Sequence, residues 1–186
     1  DEWEVDIAYS GAQKCLSCPP GISPLTVNDR ARSVMRQRKT PVKNWYLDLT
    51  MVEKYWGDTR TYHHTAPINV HYGLYPALRL IFDEGLEAVY QRHRTHHLAL
   101  VKGLESLGLS MLVVPESRLP MLNSVIVPEG VDEAAIRAAL RKEYKIEIGA
   151  GLGPLAGKIW RIGLMGHTAR AENVERLLTA LGALIC

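Results

Sequence analysis

The chain has 186 residues, 47% of them hydrophobic and 23% charged, with a formal net charge of +2. That is ordinary globular usage, enough for one modest core or for a core and part of another, and so near-neutral a balance implies no nucleic-acid or membrane partner. No apolar run approaches the roughly 20 residues that span a bilayer, and the acidic start Asp1-Glu2-Trp3-Glu4 has no signal or transit character. Three cysteines do not make a disulfide framework; Cys15 and Cys18 flank a turn, and a reducing compartment suits them better.

Val5-Asp6-Ile7-Ala8-Tyr9 reads as a short apolar strand that delivers Lys14 into a Ser10-Gly11 turn ahead of Pro19-Pro20-Gly21. A lysine at the end of a buried strand is desolvated, which lowers its pKa and frees a neutral amine to attack a carbonyl. The plainer alternative is a lysine that snorkels from a strand end. Gly21 to Val27 predicts a second strand. Asn28 then caps a helix to about Arg38, whose Arg30, Arg32, Arg36 and Arg38 make a solvated basic face. Lys39-Thr40-Pro41 stops it, and Trp45, Tyr46, Tyr55 and Trp56 follow as an aromatic group suited to a neighbouring surface.

Pro67 opens a helical run to about Phe82, broken at Glu84-Gly85. A second long helix carries Leu86, Val89, Tyr90, His93, His97, Leu100, Val101 and Leu104 at helical spacing, and the domain boundary falls at the break, giving domains 1–84 and 85–186. Beyond Gly108 the pattern predicts strands at Met111–Val114 and Ser124–Val127 and a helix from Asp132 to about Tyr144. Strands at 145–148 and 158–164 follow, then a helix from about Ala171 buried along Val174, Leu177, Leu178 and Leu181. This order makes a small α/β layer, one sheet covered by helices.

Several local patterns compete for function. Cys15 and Cys18 have the spacing of a zinc or redox pair, but a structural zinc site needs about four ligands and the only other cysteine is Cys186. His93 and His97 lie one helical turn apart, with no acidic third ligand placed by the sequence, so no metal site is assigned. The glycine run 149–153 with Gly157-Lys158 fails as a phosphate loop, because Ile159 stands where a hydroxyl is required; it reads as a flexible turn between strands. Arg161 lies inside the apolar stretch Ile159 to Leu164, where a charge is costly unless an anion meets it; a bound carboxylate, a structural ion pair and an outward-facing strand position all fit. Thr61-Tyr62-His63-His64-Thr65-Ala66-Pro67 is a hydroxyl-rich loop feeding a helix N-terminus, a weak signal for phosphate.

Taken in order, YSGAQKCL with PPG, SVMRQRKTP, NWYLDL, YWG, TYHHTAPIN, EGLE, IEIGAGLGPLAGK and WRIGLMG resemble the class V aminotransferases over essentially the whole chain. These are pyridoxal-phosphate enzymes of fold type I, and the nearest branch is the animal alanine–glyoxylate and serine–pyruvate aminotransferases. The resemblance is to the second half of such an enzyme: the C-terminal part of the large cofactor-binding domain, then the small C-terminal α/β domain. It implies that Lys14 joins pyridoxal 5'-phosphate as a Schiff base, that Gln13 contacts the phosphate in its own subunit, and that Tyr62 and Thr65 contact the phosphate of the neighbouring subunit in a homodimer. Arg161 matches the arginine that holds the substrate α-carboxylate. The implied reaction moves an amino group from alanine or serine to glyoxylate or pyruvate, with kynurenine-type donors as another class V possibility, and the segment is expected to be inactive alone. A non-catalytic assembly module is the alternative of another kind. Ala12 replaces a small hydroxyl residue of relatives. The resemblance implies a peroxisome or mitochondrion, yet Leu184-Ile185-Cys186 is no peroxisomal tripeptide and no targeting signal is visible, so the cytosol is also open.

Overall fold

A computed structural model describes residues 2–185; Asp1 and Cys186, and the readings that rest on them, lie outside the described residues. The chain forms two compact units, one of residues 1–13 and 18–76 and the other of residues 14–17 and 77–186. No helix among the described residues is long and apolar enough to cross a membrane.

In the first unit, β1 (Ile7–Tyr9) pairs antiparallel with β2 (Leu25–Val27). Both strands are largely exposed, with Tyr9 79% accessible, so the burial expected of the strand leading toward Lys14 is not found. Among the described residues the ribbon has no third strand to help bury its faces. Helix α1 (Asp29–Arg36) is capped as the sequence predicts: the Asn28 side chain accepts from the Ala31 amide. None of its residues is buried, and its arginines find exposed carboxylates, Arg30 on Asp6 and both Arg32 and Arg36 on Glu53. Asp48 caps α2 (Leu49–Trp56). Trp45, Tyr46 and Trp56 each remain more than half exposed.

Helix α3 (Ile68–Glu84) begins one residue after Pro67 and carries Pro76 in its interior, where the missing N–H removes one helical hydrogen bond. It ends at Gly85, whose φ of +87° is open to glycine and costly for any other residue, and α4 (Leu86–Ser106) starts there. In the second unit β3 (Leu122–Ile126), β5 (Ile159–Gly163) and β4 (Gly149–Ala150) form an antiparallel sheet with β5 in the middle. Its core joins Leu100 and Leu104 of α4, Val125, Trp160 and Ile162 of the sheet, and Val174, Leu177 and Leu181 of α6 (Ala171–Ile185). Fully burying each such aliphatic side chain contributes about 1.5–3 kcal/mol. Helices α4 and α6 approach so closely that a Cβ on Gly103 would overlap Leu178.

Three expected elements differ. Met111–Val114 makes only one bridge, Met111 with Val125, and turns away at Pro115, which cannot donate to a ladder. Helix α5 (Glu133–Ala139), capped by Asp132, widens into a π-helical segment over Leu140–Tyr144 that ends at Lys145 in the left-handed region; the strand expected at 145–148 therefore begins only at Gly149. The glycine run is thus partly strand, and the rest is tied by bonds from the Gly151 amide to Ile159 and from the Lys158 amide to Leu155.

Candidate active site

Strand alternation sets Arg161. Its neighbours in β5, Trp160 and Ile162, point into the core, so Arg161 lies on the opposite face, flanked in register by Ser124 of β3 and Gly149 of β4. The guanidinium is half-buried. Its Nε donates to the Ala150 carbonyl at 2.7 Å, and among the described residues no carboxylate pairs with it and Nη1 and Nη2 have no hydrogen-bond partner. Gly149 makes the space: a Cβ there would stand 3.3 Å from Nη2 and 3.5 Å from Nε. A fixed guanidinium with two open N–H edges suits a bidentate carboxylate.

Lys14 is exposed and opens a tight turn in which the Ser17 amide donates to the Lys14 carbonyl at 3.0 Å. Its Nζ makes no hydrogen bond and no ion pair among the described residues. Ser17 adopts φ +59°, a conformation costing a non-glycine residue roughly 1 kcal/mol or more. The turn is held from a second loop of the same unit: Ser17 Oγ accepts from the His167 amide at 2.8 Å. Gly166, buried and at φ +56°, fits only without a side chain, because a Cβ would overlap Ser17 Oγ and come within 2.6 Å of the Cys15 carbonyl oxygen.

Behind that loop lie two consecutive residues of α4. Arg92 Nη1 donates to the carbonyls of Gly166 and Ala169 at 2.8 and 2.9 Å, while Nε and Nη2 fork onto Glu84 at 2.6 and 2.9 Å. His93 is buried; its Nδ1 faces the Val89 carbonyl at 2.7 Å, so that nitrogen carries the proton, and the lone pair on Nε2 accepts from the Gly166 amide at 2.9 Å. Both ring nitrogens of His93 are thus occupied, and His97 Nδ1 is bonded to Asn123 Oδ1; the helical spacing of the two histidines serves packing and hydrogen bonding. The 166–167 loop and its supports on α4 escaped sequence reasoning. WRIGLMG stood out as a pattern, but nothing local ties it to a serine 150 positions earlier.

In the first unit Tyr62 Oη and Thr65 Oγ1 are 3.0 Å apart, so two of the residues expected to meet a phosphate are brought together, both exposed. His63 anchors their loop: it is buried, stacks on Trp45 at 4.1 Å, and bonds through Nε2 to the Trp45 carbonyl and through Nδ1 to His64. Gln13, also of the first unit, is exposed, and Ala12 beside it is fully buried. Lys14 and Arg161 belong to the second unit and do not bond to each other. Within the second unit the free amine of Lys14 suits an aldehyde and the open guanidinium of Arg161 a carboxylate; within the first, the carboxamide of Gln13 and the hydroxyl pair of Tyr62 and Thr65 each suit a phosphate.

The family described as Aminotransferase class-V matches residues 1–177. The whole chain is 38% identical to (S)-ureidoglycine–glyoxylate transaminase of Bacillus subtilis, covering 49% of that protein, and 42% identical to alanine–glyoxylate aminotransferase of Drosophila melanogaster, covering 48%. It superposes over its full length on the crystal structure of alanine–glyoxylate aminotransferase from Nostoc sp. with a TM-score of 0.96 at 50% identity, covering 49% of that chain. The chain therefore spans about half the length of the relatives it matches.

Proposed function

This chain belongs to the class V aminotransferases, pyridoxal-phosphate enzymes of fold type I, and we propose that it supplies the lysine-bearing half of a transaminase that moves an amino group from alanine or serine to glyoxylate or pyruvate. Residues 1–84 are the share of the large cofactor-binding domain in this reading, and 85–186 are the small α/β domain. The observation that carries the reading is Lys14: an exposed amine with no protein partner among the described residues, on a turn fixed by the Ser17–Lys14 and His167–Ser17 hydrogen bonds.

Pyridoxal phosphate, when bound, supplies the electron sink that stabilises a carbanion at the amino acid's Cα. Lys14 Nζ would hold the cofactor covalently, and the same amine would move the proton from the amino acid's Cα. Arg161 Nη1 and Nη2 orient the amino acid by its α-carboxylate, which fixes the Cα–H direction relative to Lys14 Nζ. Gln13 donates to the phosphate in its own subunit. Tyr62 Oη and Thr65 Oγ1 donate to the phosphate of the neighbouring subunit in a homodimer, a dianion for which paired hydroxyls are suited.

The test is alanine-dependent conversion of bound pyridoxal phosphate to its pyridoxamine form in the full-length protein, followed by absorbance. Lys14→Ala abolishes the conversion in this account and Arg161→Ala weakens it. Conversion at the wild-type rate in Lys14→Ala contradicts the reading.

A further inference from the structure

We infer that Arg92, His93 and Ser17 are positioning residues for the Lys14 amine, acting through the backbone of Gly166 and His167; the inference rests on the proposed role of Lys14. One peptide unit is held at both of its polar ends. Its carbonyl accepts from Arg92 Nη1 at 2.8 Å, and its N–H donates to Ser17 Oγ at 2.8 Å. A donor on one side and an acceptor on the other polarise the same amide, so each bond strengthens the other. The preceding amide, that of Gly166, is fixed by His93 Nε2. Two adjacent α4 residues therefore lock the loop in rotation as well as position, and Glu84 in turn orients Arg92 through two bonds.

The backbone conformations show what the lock holds. Ser17 and Gly166 both sit at positive φ and meet face to face, with no room at Gly166 for a methyl group. A left-handed serine three residues after Lys14 persists only where its surroundings over-determine it, and here the over-determination comes from the 166–167 peptide. If Ser17 relaxed toward an ordinary φ, the turn closed by the Ser17–Lys14 bond would open and the Lys14 side chain would leave in a new direction. A nearby cavity of about 460 Å³, lined by Leu16, Ser17, Glu84, Arg92 and Gly166 among others, gives the turn room to move once released. The lock therefore acts on orientation more than on stability, because Ser17 and His167 are exposed and bury little when joined.

The experiment uses the full-length protein with Ser17→Ala, which removes one exposed acceptor, and with His93→Leu beside the conservative His93→Gln, whose amide oxygen can still accept from Gly166. In the cofactor-free proteins, amide exchange at His167 and the rate of Lys14 modification by an amine reagent are measured, with the exposed Lys158 as internal reference. Ser17→Ala is expected to speed His167 exchange and to change Lys14 reactivity several-fold against an unchanged Lys158. In the loaded protein it is expected to lower kcat by about tenfold with little change in KM, as a misdirected catalytic group does. His93→Leu should act alike, and His93→Gln should recover most of the wild-type behaviour. Faster His167 exchange with unaltered Lys14 reactivity overturns the inference and leaves a purely structural contact; unaltered exchange overturns it as well, because the bond is then not made. Should pyridoxal phosphate fail to join Lys14 in the wild type, the functional reading falls, while the reactivity comparison without cofactor still decides the positioning role.

Discussion

His97 Nδ1 and Asn123 Oδ1 lie 2.7 Å apart and form a buried polar pair in the core of the second unit, with Asn123 Nδ2 directed at the carbonyls of Pro120 and Ile162 at 3.4 Å. The pair links α4 to the residue next to Arg161. His97→Leu leaves the Asn123 oxygen buried without a donor and is expected to cost about 1–3 kcal/mol in urea unfolding. His97→Leu with Asn123→Leu is expected to cost less than the sum of the single changes. Strict additivity would mean that the two side chains do not interact.

Gly103 makes close packing of α4 on α6 possible. Alanine there gains roughly 1 kcal/mol of helix propensity but drives a methyl into Leu178, and such overpacking typically costs about 1–3 kcal/mol. Gly103→Ala is therefore expected to lower the thermal midpoint, and a second change, Leu178→Ala, to recover part of the loss. A raised midpoint for Gly103→Ala alone would contradict this packing.

Glu84 carries a pH dependence. The hydrogen bonds from Arg92 hold its carboxyl below the usual carboxylate range, ahead of the opposing effect of partial burial. A lowered folded value means that the stabilisation is complete above the ordinary glutamate range and is lost as pH falls through the lowered value. Wild type and Glu84→Gln should differ in stability at neutral pH, by about 1 kcal/mol for a partly exposed pair, and converge on acidification. A difference that persists at acid pH would place the origin elsewhere.

Arg161 should separate charge from geometry. Arg161→Lys keeps the charge but loses the fork, and a charge-assisted bond contributes about 1.5–3 kcal/mol, so KM for the amino donor is expected to rise by roughly ten- to a hundredfold. Primary amines without a carboxylate should be indifferent to the change. Equal effects on both would show that Arg161 does not meet the carboxylate.

Elements whose signals are local were legible in the sequence. The Asn28 cap, the break at Gly85, the buried stripe of α6 and the strand that carries Arg161 each follow from residues a few positions apart. Met111–Val114 and the stretch 145–148 have strand composition, but pairing depends on a partner, and Pro115 and the left-handed Lys145 intervene. The strand before Lys14 has the apolar residues of a buried element yet, among the described residues, pairs with one neighbour strand, β2. The residues of the proposed site were legible singly: Lys14, Arg161 and the Tyr62–Thr65 loop. What holds the Lys14 turn was not, because Ser17, Arg92, His93 and Gly166 meet only in the folded chain.

The most direct measurement is borohydride reduction of the full-length protein as isolated, followed by peptide mass spectrometry. A pyridoxyl group is expected on Lys14 and on no other lysine, lost when the protein is first exposed to alanine. A protein that carries no pyridoxyl group after reconstitution with pyridoxal phosphate, or carries it on a different lysine, would contradict the assignment of Lys14 and with it the proposed activity.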